Sequence, residues 1–470
     1  MAYTKLQFKP GIVRDITRYS NNGGWFDSNR IRFRMGFPET IGGWTKLTNT
    51  TILGTCRSLH NWSNLSGTSF IGAGTNLKFY VLAGNFPEDI TPIRASNRPV
   101  TFTATDGSNV IRVNDIGHGA LLNDFVTFSG AISLGGAITA DVLNKEYQIT
   151  GYINASAYEI TSAVIANASD TGNGGANAKG AYQINVGLDT VVLGGGWGAG
   201  AWSRLGWGSE ANVQIAGAAL RIWSQDNFGE DLVIALRGGG IYYWDLSGGV
   251  LNRAVELSTL PSAQSAPTVT NIILVSEKDR HLIAFGCDPE NDPGVQNPLT
   301  IRFSNQESAT EWRTLDTTTA GELQLSTGSS IVAAVQTKQQ ILVLTDVSAH
   351  AMQYVGAPFT YGLSEISTNI SIAGQNAAVA VGDSVYWMGK GQFYIYNGNI
   401  TEIPCAVKEY VFNDINLAQS AKVMASSNSA FSEVWWFYPS KNSANNDKYV
   451  IFNYTENIWY YGSLSRTAWT

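Results

Sequence analysis

The chain has 470 residues, of which 44% are apolar and 14% charged, and its net charge is −7. That length suits two to four ordinary domains or one large repeat architecture, with apolar residues enough for a packed core. The acidic balance argues against a nucleic-acid grip, which needs a basic footprint, though not against a surface past which DNA slides. The 49 glycines and the 11% aromatic content fit an all-β chain with many tight turns and half-buried strands. Cys56, Cys287 and Cys405 lie far apart with no Cys-x-x-Cys pairing, so three small buried thiols are expected. The start of the chain has no signal-peptide apolar region, and no apolar run approaches the ~18 residues that span a bilayer.

Residues 1–50 read as an arm. Within it Arg30, Arg32 and Arg34 alternate with Ile31 and Phe33. On a strand that places three guanidiniums on one face and the apolar pair on the other. Such a face is either merely solvated or a docking strip for carboxylates of a neighbouring subunit, where arginine suits bidentate pairing. Arg14 and Arg18 add to the positive charge of the arm.

Residues 51–93 read as a first propeller blade, with strands at Cys56–Trp62, Ser69–Gly74 and Leu77–Leu82. The texture then changes over residues 94–208, which are poor in tryptophan at first and rich in Asn, Ala, Gly and Thr. Strand candidates there are Val110–Val113, Phe125–Phe128, Tyr147–Thr150 and Tyr158–Thr161. This segment is expected to be a small β domain inserted into the propeller and projecting from it. It closes on a Gly/Trp-rich loop containing Trp197, Trp202 and Trp207. A Gly-x-Gly-x-x-Ala match at Gly196, Gly198 and Ala201 lacks the amphipathic helix a dinucleotide site needs. An exposed aromatic loop, at a tip or ordered by a neighbouring subunit, is the expectation.

Short strands separated by polar turns resume over residues 209–470. Successive units begin near Leu220, Ile272, Ile331, Ala377 and Ala421. Each is too small to bury its own apolar face, so each must stack on the next. With residues 51–93 this makes about six blades, an all-β propeller interrupted by the insertion. One helix, Ala406–Asn416, puts Val407, Tyr410 and Val411 on one face and is expected to plug or flank the ring. The ring must close by pairing strands from opposite ends of the chain, or leave an open edge. Trp469-Thr470 falls within what reads as strand pattern.

Two stretches carry a family resemblance. Arg32-Phe-Arg-Met-Gly-Phe-Pro-Glu-Thr-Ile-Gly-Gly-Trp44, within Asn29–Trp44, is similar to the opening of tail proteins of short-tailed bacteriophages. Arg302-Phe-Ser-Asn-Gln-Glu-Ser-Ala-Thr-Glu-Trp312 and Gly328–Gly362 resemble the middle of the same proteins. These are the tail hub or nozzle proteins, also called packaged-DNA stabilisation or tail tubular proteins. The resemblance implies a non-enzymatic β-propeller of the virion that assembles, typically as a homohexamer, below the portal and adaptor rings. It would extend the DNA channel, retain packaged DNA until ejection, and meet an adaptor or head-to-tail protein and tail fibres or spikes. Double-stranded DNA would pass through the channel without specific binding.

The resemblance supplies no catalytic residues and no cofactor. His60, His118, His281 and His350 are scattered, and no zinc, phosphate-loop or nucleophile-elbow spacing occurs. Asp288–Gly294 is acidic, and a solvated turn is preferred there to a calcium loop. The alternative function is a carbohydrate-binding or glycan-degrading tail-tip propeller, with the tryptophans of the insertion loop stacking on sugars.

Overall fold

The computed structural model describes residues 8–169, 173–190 and 220–470. The arm forms one hairpin, β1 (Ile31–Arg34) and β2 (Phe37–Thr40), paired only with itself. Blade 1 is β3 (Cys56–Ser63), β4 (Ser69–Thr75), β5 (Phe79–Ala83) and β6 (Phe86–Asp89). The insertion follows as β7 (Ile93–Pro99), β8 (Thr101–Ala104), β9 (Val110–Asn114), β10 (Phe125–Ser129), β11 (Glu146–Asn154), β12 (Ala157–Thr161) and β13 (Lys179–Gln183). Blade 2 is β14 (Trp223–Phe228), β15 (Asp231–Leu236), β16 (Ile241–Trp244) and β17 (Val255–Glu256). Blade 3 is β18 (Ile272–Val275), β19 (Leu282–Phe285), β20 (Thr300–Phe303) and β21 (Gly321–Gln324). Blade 4 is β22 (Ile331–Gln336), β23 (Ile341–Thr345), β24 (Ala349–Gly356) and β25 (Thr360–Ser367). Blade 5 is β26 (Ala378–Val381), β27 (Ser384–Met388), β28 (Phe393–Tyr396) and β29 (Ile400–Ile403). Blade 6 is β30 (Met424–Asn428), β31 (Glu433–Tyr438), β32 (Lys448–Asn453) and β33 (Ile458–Ser463).

Six four-stranded antiparallel sheets in a propeller arrangement are thus the observed architecture. The first strand of each blade lies innermost, and from blade 1 to blade 6 each touches the first strand of the next. These inner strands have free backbone edges, a liability unless capped. At blade 3, side chains of blade 2 cap this edge. Ser224 Oγ accepts from Ile273 N at 3.0 Å, and Asp226 Oδ2 accepts from Val275 N at 2.8 Å.

Blades cohere through aromatic side chains on facing sheets. Trp223 donates Nε1–H to Thr75 O at 2.7 Å and meets Phe79 edge-on at 5.0 Å, joining blades 1 and 2. A Cβ at Gly74 would lie 2.5 Å from that indole, so this position admits only glycine without rearrangement. Separate apolar clusters join blades 2 and 3, then 3 and 4. Blades 4, 5 and 6 share one larger cluster with the arm.

The expected closure by strand exchange does not occur. Every blade is built from consecutive strands, and β33 ends at Ser463 before the irregular segment 464–470. The seam between blades 6 and 1 is instead filled from both directions. The arm lies on the far face of blade 6 and continues to blade 1, where Leu53 N donates to Tyr80 Oη at 3.2 Å. Trp469 packs on Trp435 and Phe437 of blade 6, and the Thr470 hydroxyl bonds Asn61 Oδ1 of blade 1 at 2.7 Å. Arg57 of β3 donates to Asn445 Oδ1 in the β31–β32 loop at 2.8 Å.

The insertion curls into a sheet of order β7-β13-β10-β11-β12-β9-β8 around its own core. Because β7 and β8 are separated only by Val100, one bent strand occupies both edges and the sheet closes on itself. The helix expected at Ala406–Asn416 is shorter, α2 (Lys408–Phe412), followed by a 3-10 turn at Leu417–Lys422. It flanks the ring, with Tyr410 stacked on Tyr461 at 4.3 Å. It is not the only helix, since α1 (Ala140–Leu143) lies in the insertion. Cys287 is buried, whereas Cys56 and Cys405 are only half-buried, and all three are free thiols.

Trp436 is fully buried and donates Nε1–H to Ala377 O of blade 5 at 3.1 Å. Trp436→Ala should lower unfolding stability by about 3–5 kcal/mol, measured by denaturant titration.

Candidate assembly surface

The arm is held by one buried ion pair. Arg32 Nε and Nη2 donate to Glu433 Oε1 and Oε2 at 2.9 and 3.0 Å, a bidentate pair with Glu433 fully buried. Trp435 Nε1–H and the Tyr460 hydroxyl donate to the same carboxylate at 2.8 and 2.5 Å. The Arg32 guanidinium also lies 3.4 Å from the Phe431 ring centre. On the other face Phe33 packs edge-on against Tyr460 at 5.8 Å. Strand β1 is therefore sealed on both sides, which is why so short a hairpin stays docked.

The three arginines do not share one free face. Arg32 is spent inside the chain on Glu433 and is unavailable to a neighbour's carboxylate. Arg30 precedes the strand at φ +57°, outside its alternation, and is exposed. Arg34 is exposed, 5.7 Å from the Phe431 ring centre. Trp197, Trp202 and Trp207 lie outside the described residues.

Glu433 is the functional residue that sequence reasoning missed. Its signal was a lone carboxylate opening the run Glu433-Val-Trp-Trp-Phe-Tyr438, which must be buried on both faces. A buried carboxylate requires a cation or several donors.

The arm nevertheless leaves much apolar surface in solvent. Eight of the 26 exposed large apolar side chains among the described residues lie between Phe8 and Leu53. Met35 is 80% and Phe37 75% exposed at the tip of the β1–β2 hairpin. Glu456 fixes that tip by accepting from Met35 N at 2.7 Å. Trp44 packs edge-on against Trp469 at 6.4 Å and carries the Arg466 guanidinium 4.8 Å from its ring centre.

A second charged network joins the insertion to the ring. Lys78 of blade 1, itself buried, donates Nζ to Asp89 Oδ2 at 2.7 Å and to Glu146 of β11. Arg253 of blade 2 reaches Asp89 at 3.1 Å, and Gln183 of β13 donates to Glu146 at 2.6 Å. Burial alone would raise the Asp89 carboxyl, but Arg253 and Lys78 outweigh it and hold it below the usual carboxylate range.

The turn Asp288–Gly294 is solvated over Asn291–Gly294, with only its acidic first residue turned inward. Asp288 is buried and accepts from Thr268 N, the Thr268 hydroxyl and Gly294 N at 3.0, 2.7 and 2.8 Å, so backbone donors satisfy it. Among the described residues, no group of three or more His, Cys, Asp or Glu side chains is placed to hold a metal ion. No described helix is long and apolar enough to cross a membrane.

No family model matches the chain, and no curated protein matches it. Solved structures to which it is similar include the phage phi92 endosialidase, at 10% identity and TM-score 0.23, over 86% of this chain and 55% of that one. The chain thus spans about half the length of that endosialidase. AztD from Citrobacter koseri matches at 8% identity and TM-score 0.31, over 80% of this chain and 83% of its own. A Synechocystis apocarotenoid oxygenase variant matches at 7% identity and TM-score 0.31, over 78% of this chain and 82% of its own. At these scores the likenesses carry no argument about what the chain does.

Two outcomes follow from the charged networks. Arg32→Met should destabilise the protein by about 3–5 kcal/mol in denaturant titration, because Glu433 is left buried and unpaired, and adding Glu433→Gln should recover part of the loss. Asp89 has a depressed folded-state pKa, so its stabilisation is complete above the ordinary aspartate range near about pH 4 and is lost as pH falls below it. Hydrogen exchange at β11 and β13 should accelerate across that acid window, and Arg253→Gln should weaken the dependence.

Proposed function

We propose that the chain is a structural subunit of the tail of a short-tailed phage, a hub or nozzle propeller. In this reading it assembles as a ring, six copies in the family it resembles, below the portal and adaptor. It extends the DNA channel and retains packaged DNA until ejection. The observation that carries the reading is the arm. It is anchored in the ring seam by Arg32 and Phe33, yet presents Met35, Phe37, Leu47 and Tyr19, and the charges of Arg30 and Arg34, to solvent. Exposed apolar surface on a rigid support calls for a protein partner. The motif similar to hub proteins, Asn29–Trp44, is the stretch that builds this wedge.

The charge balance agrees with a conduit. An acidic wall repels phosphates, so duplex DNA moves past without being trapped. The role needs no cofactor and no catalytic group. Its partners are further copies of the chain, an adaptor protein, and tail fibres or spikes, and its place is the virion tail.

A second reading, carbohydrate binding, is favoured by an open groove of about 710 Å³ between the rims of blades 2 and 3. Tyr243, Asn252, Arg253 and Glu307 line it, a mixture of aromatic and polar groups suited to a sugar.

Native mass spectrometry and negative-stain electron microscopy of the full chain separate the two. The hub reading expects a ring with an opening of duplex width. A monomer at micromolar concentration that binds a glycan array overturns it.

A further inference from the structure

The strongest unpartnered surface away from the arm is on blade 4. Its outer pair, β24 and β25, has eight residues in each strand, whereas the outermost strands of blades 1, 2, 3 and 5 have two to four. The hairpin overhangs its neighbours, leaving Val355 57% and Phe359 76% exposed. It is fastened to blade 3, since buried Thr360 donates its hydroxyl to Thr319 O at 2.9 Å while held at φ +57°, a conformation that β-branched residues avoid. Between this overhang and β21 lies a groove of about 510 Å³, with Leu323, Val355, Phe359 and Leu363 as its apolar wall and Glu365 at its edge.

Charge says what fits it. Residues 270–368, which build blades 3 and 4, contain 11 acidic and five basic side chains, a net charge of −6. Residues 1–50 contain eight basic and three acidic ones, a net charge of +5. The arm tip offers two exposed apolar side chains, Met35 and Phe37, next to the exposed Arg34. An apolar groove edged by Glu365 and an apolar tip beside Arg34, where the Glu456 carboxylate is taken up by the Met35 and Gly36 N–H groups, are complementary.

They cannot meet within one molecule. In a ring of six consecutive blades, the seam between blades 6 and 1 stands across the axis from the junction of blades 3 and 4. We infer that the β1–β2 tip of one copy docks in the blade 3–blade 4 groove of the next, a head-to-tail contact between unlike surfaces. The inference rests on the proposed multimeric hub and names the contact that builds it.

Two surface variants test it, Phe37→Asp at the tip and Val355→Asp at the groove, each first shown to keep the circular dichroism and melting temperature of the parent. By native mass spectrometry each alone is expected to be a monomer. A mixture of the two is expected to give a dimer containing one of each and nothing larger, because only one intact tip and one intact groove remain. If either variant alone assembles like the parent, or the mixture stays monomeric, the contact is overturned. A parent protein that never assembles overturns the hub reading itself, a separate result read before the variants are mixed.

Discussion

The ring depends on a carboxylate that cannot be left alone. Glu433 sits in the far face of the last blade, fully buried, with two donors from Arg32 and one each from Trp435 and Tyr460. Removing a carboxylate from water is tolerable only when its oxygens are bonded and its charge matched. The arm supplies the matching cation, so blade 6 is completed by residues some 400 positions earlier in the chain. Once Arg32 is seated, Phe33 is carried against Tyr460, and the following residues run across the seam to blade 1. Ring closure is therefore a matter of side-chain packing, one ion pair and a few hydrogen bonds, with no shared strand ladder.

Much of this was legible in the amino-acid order, for physical reasons. The middle strands are largely buried on both faces, so they read as apolar runs such as Leu232–Leu236, Ile341–Leu344 and Val434–Tyr438. The outermost strands of blades 2, 3 and 5 were not legible. Gly321–Gln324 and Ile400–Ile403 expose about half their residues and Val255–Glu256 is two residues long, so no apolar pattern marks them. The role of Arg32 was half legible. Its alternation with Ile31 and Phe33 placed it on a strand, but the count of like charges suggested a free strip, because its partner is remote in sequence. The tryptophans expected at the insertion tip fall outside the described residues.

Some of the buried polar groups serve joints between units. Ser224 and Asp226 cap the inner edge of blade 3 from blade 2, and Lys78, Asp89, Glu146 and Arg253 bind the insertion to two blades. Asp288 spends its charge on Thr268, in the segment ahead of β18, and on the backbone of Gly294 in its own turn. Buried ionisable groups thus occur both at joints between units and inside single units, as Asp115 in the insertion and Arg302 in blade 3 show.

The insertion enters and leaves through neighbouring strands, with Gln183 of β13 paired to Ile93 of β7. Two such adjacent points draw no blade out of order, whatever is strung between them. The same scaffold could therefore carry an enlarged, trimmed or wholly foreign module at this position, much as a socket accepts different fittings.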